Sequence, residues 1–401
     1  MRRLASVIVT VACLALPMEP VAAQKRYAPG ASDGEIKIGQ TMPYSGAASA
    51  YGAIGKAEAA YFAMINEQGG VNGRKIRFFS LDDGYSPPKT VEQVRKLVEQ
   101  EEVLLLFQTM GTATNNAVRK YVNDKKVPHV FLASGASLWA DPEHFPWTMG
   151  WQPDLQTEGA IYAKDIQREK PGARIALLYQ NDDYGKDYRK GFRDALGDRA
   201  DKMIVGEASY ESTDPTVDSQ IVTLQASGAD TFFNVSSPKF AAQAIRRAYD
   251  IGWKPRQYLT SGSSSVAAVL QPAGLGKSIG IISAGYIKDP TDSQWHNDQS
   301  YKDWLSWMKQ YNPDADIADR FNVYGYSAAQ TLVQVLKQCR DELTRENVMK
   351  QAANLKDLQL PMMLPGILVK TSPTNFHPIR QMQLQRFDGE RWVLFGSIIG
   401  G

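Results

Sequence analysis

The 401 residues contain only two cysteines and four histidines. Cys13 lies in an N-terminal apolar run, which leaves Cys339 as the only cysteine of the body of the chain. An intramolecular disulfide is therefore excluded there, whatever the redox compartment. His129, His144, His296 and His377 have no metal-ligand spacing, and without cysteines to complete a set the usual zinc sites are excluded. There is no Gly-x-Ser-x-Gly elbow and no Gly-x-Gly-x-x-Gly after the first strand. Gly276-Lys277-Ser278 ends like a phosphate loop, but Gln271 stands where that loop needs its first glycine. No cofactor is implied. A charge excess is missing too: 45 basic side chains face 43 acidic ones, which gives no footprint for nucleic acid or an anionic membrane. Beyond the N-terminus no apolar run approaches the roughly 20 residues that a bilayer requires.

What is present begins with an export signal. Arg2 and Arg3 precede the uncharged run Leu4–Leu16, and Pro17, Pro20 and Val21-Ala22-Ala23 follow. This order predicts a signal peptide over residues 1–23, cleaved after Ala23. Cys13 lies too early in the run, behind Thr10-Val11-Ala12, for a lipidation site. Removing the segment leaves 43 basic and 42 acidic residues, in a length suited to two domains with their own cores.

Apolar runs without alternation predict buried parallel strands at 36–41, 75–82, 103–108 and 127–133, separated by helices at 51–68, 89–101 and from 112. A second series follows, with strands at 174–180, 203–208, 230–235, 257–260 and 280–284 and helices from 184, at 215–226 and at 238–251. Helices at 297–311, 319–340 and 345–355 lead to terminal strands at 366–370, 381–387 and 392–395, the last two joined by an Asp388-Gly389 turn. Asp82-Asp83, at a strand end, reads as a turn and helix-capping cluster rather than a catalytic pair.

Three segments carry a family resemblance: Thr41-Met42-Pro43-Tyr44-Ser45-Gly46 with Tyr51-Gly52, Ile65-Asn66-Glu67-Gln68-Gly69-Gly70-Val71-Asn72-Gly73, and Asn181-Asp182-Asp183-Tyr184-Gly185. Their order and spacing resemble the periplasmic leucine/isoleucine/valine-binding proteins of ABC transporters. The resemblance implies a type I periplasmic binding protein fold: two doubly wound α/β lobes joined by a three-crossover hinge. Lobe one would hold residues 34–149 and 286–363, lobe two 151–284 and 366–401, with crossovers at Gly150, Gly285 and Gly366. It implies a non-enzymatic, monomeric receptor in the periplasm, which binds a small molecule and meets an ABC permease of the inner membrane.

Mapped residue by residue, the resemblance places the ligand's carboxylate on the loops around Gly111-Thr112 and Ala133-Ser134-Gly135, with Ser137 further along. Tyr51 would line the pocket, Tyr184 would cover the ligand, and Ser263 would approach it from the Thr260–Ser265 loop. Tyr286, Tyr44, Trp151 and Tyr324 are further aromatic candidates, whereas Trp304 and Trp307 read as packing. The amino-acid binders have a serine where Gly111 stands, a threonine near Gly135, and an acid from lobe two for the ligand's ammonium. The Thr260–Ser265 loop has no acid, and a buried ammonium without one costs several kcal/mol. Their disulfide is also missing, with Tyr85 and Met110 near its expected positions. The expected ligand is thus a hydrophobic or aromatic carboxylate. A branched-chain amino acid or amide is the alternative ligand, and a sensory receptor or an exported enzyme the alternative roles.

Overall fold

A computed structural model describes residues 25–400; the expected signal peptide lies outside the described residues. Two sheets organise the chain. The first has five parallel strands in the order Lys75–Asp82, Glu35–Met42, Leu105–Phe107, His129–Leu132, Thr148–Gly150. The second has seven, in the order Trp392–Gly400, Gln381–Phe387, Ile282–Gly285, Arg256–Leu259, Thr231–Val235, Ile175–Gln180, Ile204–Tyr210. Its last five are parallel, and the two C-terminal strands join antiparallel at one edge. Counted along the chain, the parallel part of each sheet has the order 2-1-3-4-5, so one doubly wound plan is used twice. Runs such as Leu104–Phe107 and Val130–Leu132 are wholly buried, as strands covered on both faces require.

The chain passes to the second sheet after Thr148–Gly150, and between Ile282–Gly285 and Gln381–Phe387 the helices Gln299–Tyr311 and Arg320–Cys339 pack against Gly52–Glu67, a helix of the first series. The segments 286–288 and 362–364 run side by side: Leu364 N–H donates to the Tyr286 carbonyl (3.0 Å), and Lys288 N–H to that of Met362 (2.8 Å). The strand expected at 366–370 is not formed. Ile367 and Val369 are buried alternately, which imitates a strand, but the backbone makes only a single bridge, between Val369 and Leu358. The helix Leu155–Glu169, capped by Asp154 accepting from Thr157 N–H (2.7 Å), was not foreseen. Trp304 and Trp307 are buried, as packing residues. Cys339 is buried as well, and burial pushes its thiol up to about 12.

Candidate functional site

In a doubly wound sheet the strand order reverses next to the first strand, and the loops leaving the strand ends there part to form a crevice. The two crevices of this protein face each other. The first sheet contributes Tyr85, Met110, Gly111, Thr112, Ala133 and Ser134; the second contributes Gln180, Tyr184, Ser237, Ser261 and Gly262. Tyr51, Tyr286, Phe321 and Tyr324 complete an aromatic wall, with Tyr51 and Phe321 rings 5.2 Å apart.

Thr112 opens the helix Thr112–Asp124, whose N-cap Gly111 offers no side chain, so its first N–H groups remain for an anion. Ser134 Oγ accepts from Trp139 Nε1–H (2.9 Å) and Ala136 N–H (3.4 Å). Both lone pairs are then taken, and its proton goes to Thr112 Oγ1 at 2.7 Å. The Thr112 hydroxyl keeps its own proton, with no acceptor among the described residues, at a position only 1 % exposed. Thr112 is thus the donor and Ser134 its support.

Gly111 has φ +101°, and a Cβ there would lie 2.5 Å from the Tyr85 ring. Tyr85 thus fills the space that a serine would need at 111.

Two expected residues fall outside the lining. Gly135 packs on backbone, where a Cβ would lie 2.1 Å from the Pro153 carbonyl oxygen. Ser263 does not line the cavity: its hydroxyl donates to the Ser236 carbonyl at 2.5 Å, beside the Tyr51 hydroxyl. Ser137, expected further along the carboxylate loop, instead donates through its N–H (2.7 Å) and its hydroxyl (2.8 Å) to Asp187 of the second-sheet side. Trp151 stacks behind the wall, 4.9 Å from Tyr324, and Tyr44 donates to or accepts from Ser80 (2.6 Å) away from the cavity. Asp82 accepts from Tyr44, Ser45 and Gly84 N–H and Asp83 from Tyr85 N–H, as a turn cluster should. Burial works against the Asp82 carboxylate, yet bonds from Ser45, Gly84 and Lys89 hold it down at about 2.

The lining contains no carboxylate. The acid behind it, Glu158, is 1 % exposed and already saturated. Its Oε1 accepts from Tyr162 OH (2.7 Å) and Ser261 N–H (2.6 Å), its Oε2 from Tyr188 OH (2.7 Å) and Ser261 Oγ (2.8 Å). Desolvation raises its pKa despite these donors.

The one charged side chain in the lining is Arg320, which sequence reasoning missed. It opens the helix Arg320–Cys339. A cation in a helix's first turn opposes the macrodipole, and that was the signal available in the sequence. Nη1 donates across the cleft to the Ser261 carbonyl (2.8 Å) and to Ser264 Oγ. Beside it, Asp319 Oδ1 caps Phe321 N–H (3.0 Å) and accepts from Ser265 Oγ (2.8 Å). At the opposite rim Asn116 Nδ2 donates to Asp183 (3.0 Å), so bonds between the two sides enclose the cavity.

Burial pushes the Asp319 carboxyl up to about 6, above its ordinary value. Between about pH 4 and 6 the folded protein keeps a proton that the unfolded chain has lost, so stability from this group falls as pH rises through that window. Asp319→Asn retains the accepting oxygen and removes the titration. The stability difference, wild type minus variant, should shrink by about 2–3 kcal/mol from pH 4 to pH 7, read from urea unfolding. A flat difference would show that Asp319 is already ionised at pH 4.

Among the described residues no group of three or more metal-ligating side chains comes together, and no helix is long and apolar enough to cross a membrane. The model of one protein family, described as periplasmic binding protein, matches residues 35–391. The chain is 24 % identical over 285 residues to Leu/Ile/Val-binding protein homolog 7 of Brucella abortus, covering 69 % of each chain. It is similar in fold to a branched chain amino acid ABC transporter protein from Thermus thermophilus with bound valine (TM-score 0.81, 16 % identity, 92 % and 98 % covered). A fatty acid ABC transporter substrate-binding protein from Thermomonospora curvata is similar too (TM-score 0.78, 21 % identity, 94 % and 95 % covered).

Proposed function

The chain belongs to the periplasmic binding protein family, of the Leu/Ile/Val-binding type, and from that premise we propose that it captures a small hydrophobic or aromatic carboxylate between its lobes for an ABC importer. Members of this family are binding proteins rather than enzymes, and their place is the periplasm. We place lobe one at 34–149 and 286–363 and lobe two at 151–284 and 366–401, with the Ala23 cleavage site preceding both. The ligand docks on the Thr112 helix start, and closure brings Tyr184 and Ser261-Gly262 over it. Closure is favoured to the extent that the ligand binds the closed form more tightly. A monomer suffices for this role, and the permease reads the closed pair of lobes.

The observation that carries the reading is the absence of a free acid from an aromatic, donor-lined cavity, because Glu158 is spent on four bonds. The printed name of the Brucella relative favours a second reading, a branched-chain amino acid. The Thermomonospora protein's name shows that this fold also serves a carboxylate without an ammonium.

A thermal-shift and calorimetric panel of benzoate, phenylacetate, octanoate, leucine, isoleucine and valine separates the two. Ligand at a hundred times its Kd should stabilise by about 2.7 kcal/mol. A shift with the acids and none with the amino acids supports the carboxylate reading; a large shift with leucine or valine overturns it. For the acid that binds, Thr112→Val should weaken affinity about 10–100-fold, the loss of one bond to a charged group. Thr112→Ser should stay within a few-fold of wild type. An unchanged affinity in Thr112→Val would place the carboxylate elsewhere.

A further inference from the structure

The Arg320 side chain is 3 % exposed and makes no ion pair among the described residues, although it lines the cavity. Its two known bonds go to neutral oxygens through Nη1. Nε and Nη2 bond no described residue, and neither is among the polar atoms sealed away from the surface. Two acids near enough to act on it, Asp319 and Asp289, make no ion pair with it, and Asp289 Oδ2 is itself buried without a hydrogen-bond partner among the described residues. Asp319 Oδ1 serves Phe321 and Ser265, and Asp289 Oδ1 serves the Thr291 N–H (3.0 Å) and hydroxyl (2.6 Å). A largely buried guanidinium whose Nε and Nη2 are still accessible can be met there by an anion, and its flat fork suits a carboxylate.

A second anion position exists separately. Thr112 Oγ1 bonds Ser134 and shares no partner with Arg320, whose bonds lie on the 261–264 loop. We propose that the cavity is built for a dicarboxylate: one carboxylate on the Thr112 helix start, the other on Arg320, with a flat or apolar middle against Tyr51, Phe321 and Tyr184. This rests on the carboxylate reading of the cleft and narrows it. An α-amino acid would bring an ammonium towards the guanidinium, and the two cations repel.

The test uses the exported chain and calorimetry with terephthalate, succinate, adipate and suberate, each beside its monomethyl ester, plus benzoate and leucine. The expected result is that at least one diacid binds about tenfold or more tightly than its monoester. Arg320→Met should bring the ratio of diacid to monoester affinity to about one, whatever it does to the absolute affinities, while Arg320→Lys keeps part of the preference. Melting of the unliganded variants checks folding, since Arg320→Met also removes the bonds to the Ser261 carbonyl and Ser264 Oγ.

Equal binding of diacid and ester, or a preference that survives Arg320→Met, overturns the proposal, and so does the absence of any diacid binding. If benzoate or the esters bind without a diacid preference, the carboxylate reading stands alone. If leucine binds and no acid does, both fall.

Discussion

Glu158→Ala is expected to lower the stability of the protein by about 3–5 kcal/mol, the largest effect of any single side chain at the site. The carboxylate holds four hydrogen bonds at a position only 1 % exposed. Its removal leaves the Ser261 N–H, the Ser261 hydroxyl and the Tyr188 hydroxyl without an acceptor; only Tyr162 has a second one, the Leu259 carbonyl at 3.1 Å. Each orphaned buried donor costs about 1–3 kcal/mol. Ser261 and Tyr188 both line the cavity, so ligand affinity should fall with stability. Tyr162 OH also accepts from Ala284 N–H (3.0 Å) in the strand Ile282–Gly285, so the variant should loosen the end of that strand. Glu158→Gln keeps one accepting oxygen and should lose about half as much. Urea unfolding at neutral pH reads both. A loss below about 1 kcal/mol for Glu158→Ala would mean that the four donors find water instead.

Gly111→Ser restores the residue type of the amino-acid binders, and it should damage this protein instead of converting it. A side chain at φ +101° is strained by about 1–3 kcal/mol. The new Cβ would stand 2.5 Å from the Tyr85 ring and 2.6 Å from Thr114 Oγ1, with Tyr85 itself held at φ +61°. The ring must leave its place in the cavity wall. Carboxylate affinity should drop by more than about tenfold, and leucine should gain nothing, because no acid is supplied for its ammonium. Tyr85→Ala in the same chain should recover the steric part and leave the backbone strain. A double-mutant cycle should therefore show a coupling of at least about 1 kcal/mol. Strictly additive losses would show that Gly111 and Tyr85 act independently.

Much of the fold was legible because parallel strands buried on both faces leave unbroken apolar runs. Those expected at 174–180 and 230–235 coincide with the strands Ile175–Gln180 and Thr231–Val235 to within a residue. The segment 366–370 misled for a related reason. Ile367 and Val369 alternate as in a strand, but alternation reports burial and not whether a neighbouring strand is there to pair with. The lining was legible where a strand end meets a motif, as at Tyr51, Thr112, Ser134 and Tyr184. It was illegible where a side chain arrives from a distant element, as Arg320 does.

The sequence by itself determined the two α/β series, the lack of tools for catalysis or metal binding, and an acid-free Thr260–Ser265 loop. Each of these is a local pattern or a count. Only the tertiary structure decided that Glu158 is beneath that loop with every lone pair engaged, that Ser134 gives its proton to Thr112, and that Arg320 enters the cavity without an ion-pair partner among the described residues. The reason is physical. Whether a polar group can serve a ligand depends on which of its hydrogen bonds are already made, and those are made with residues far away in the chain.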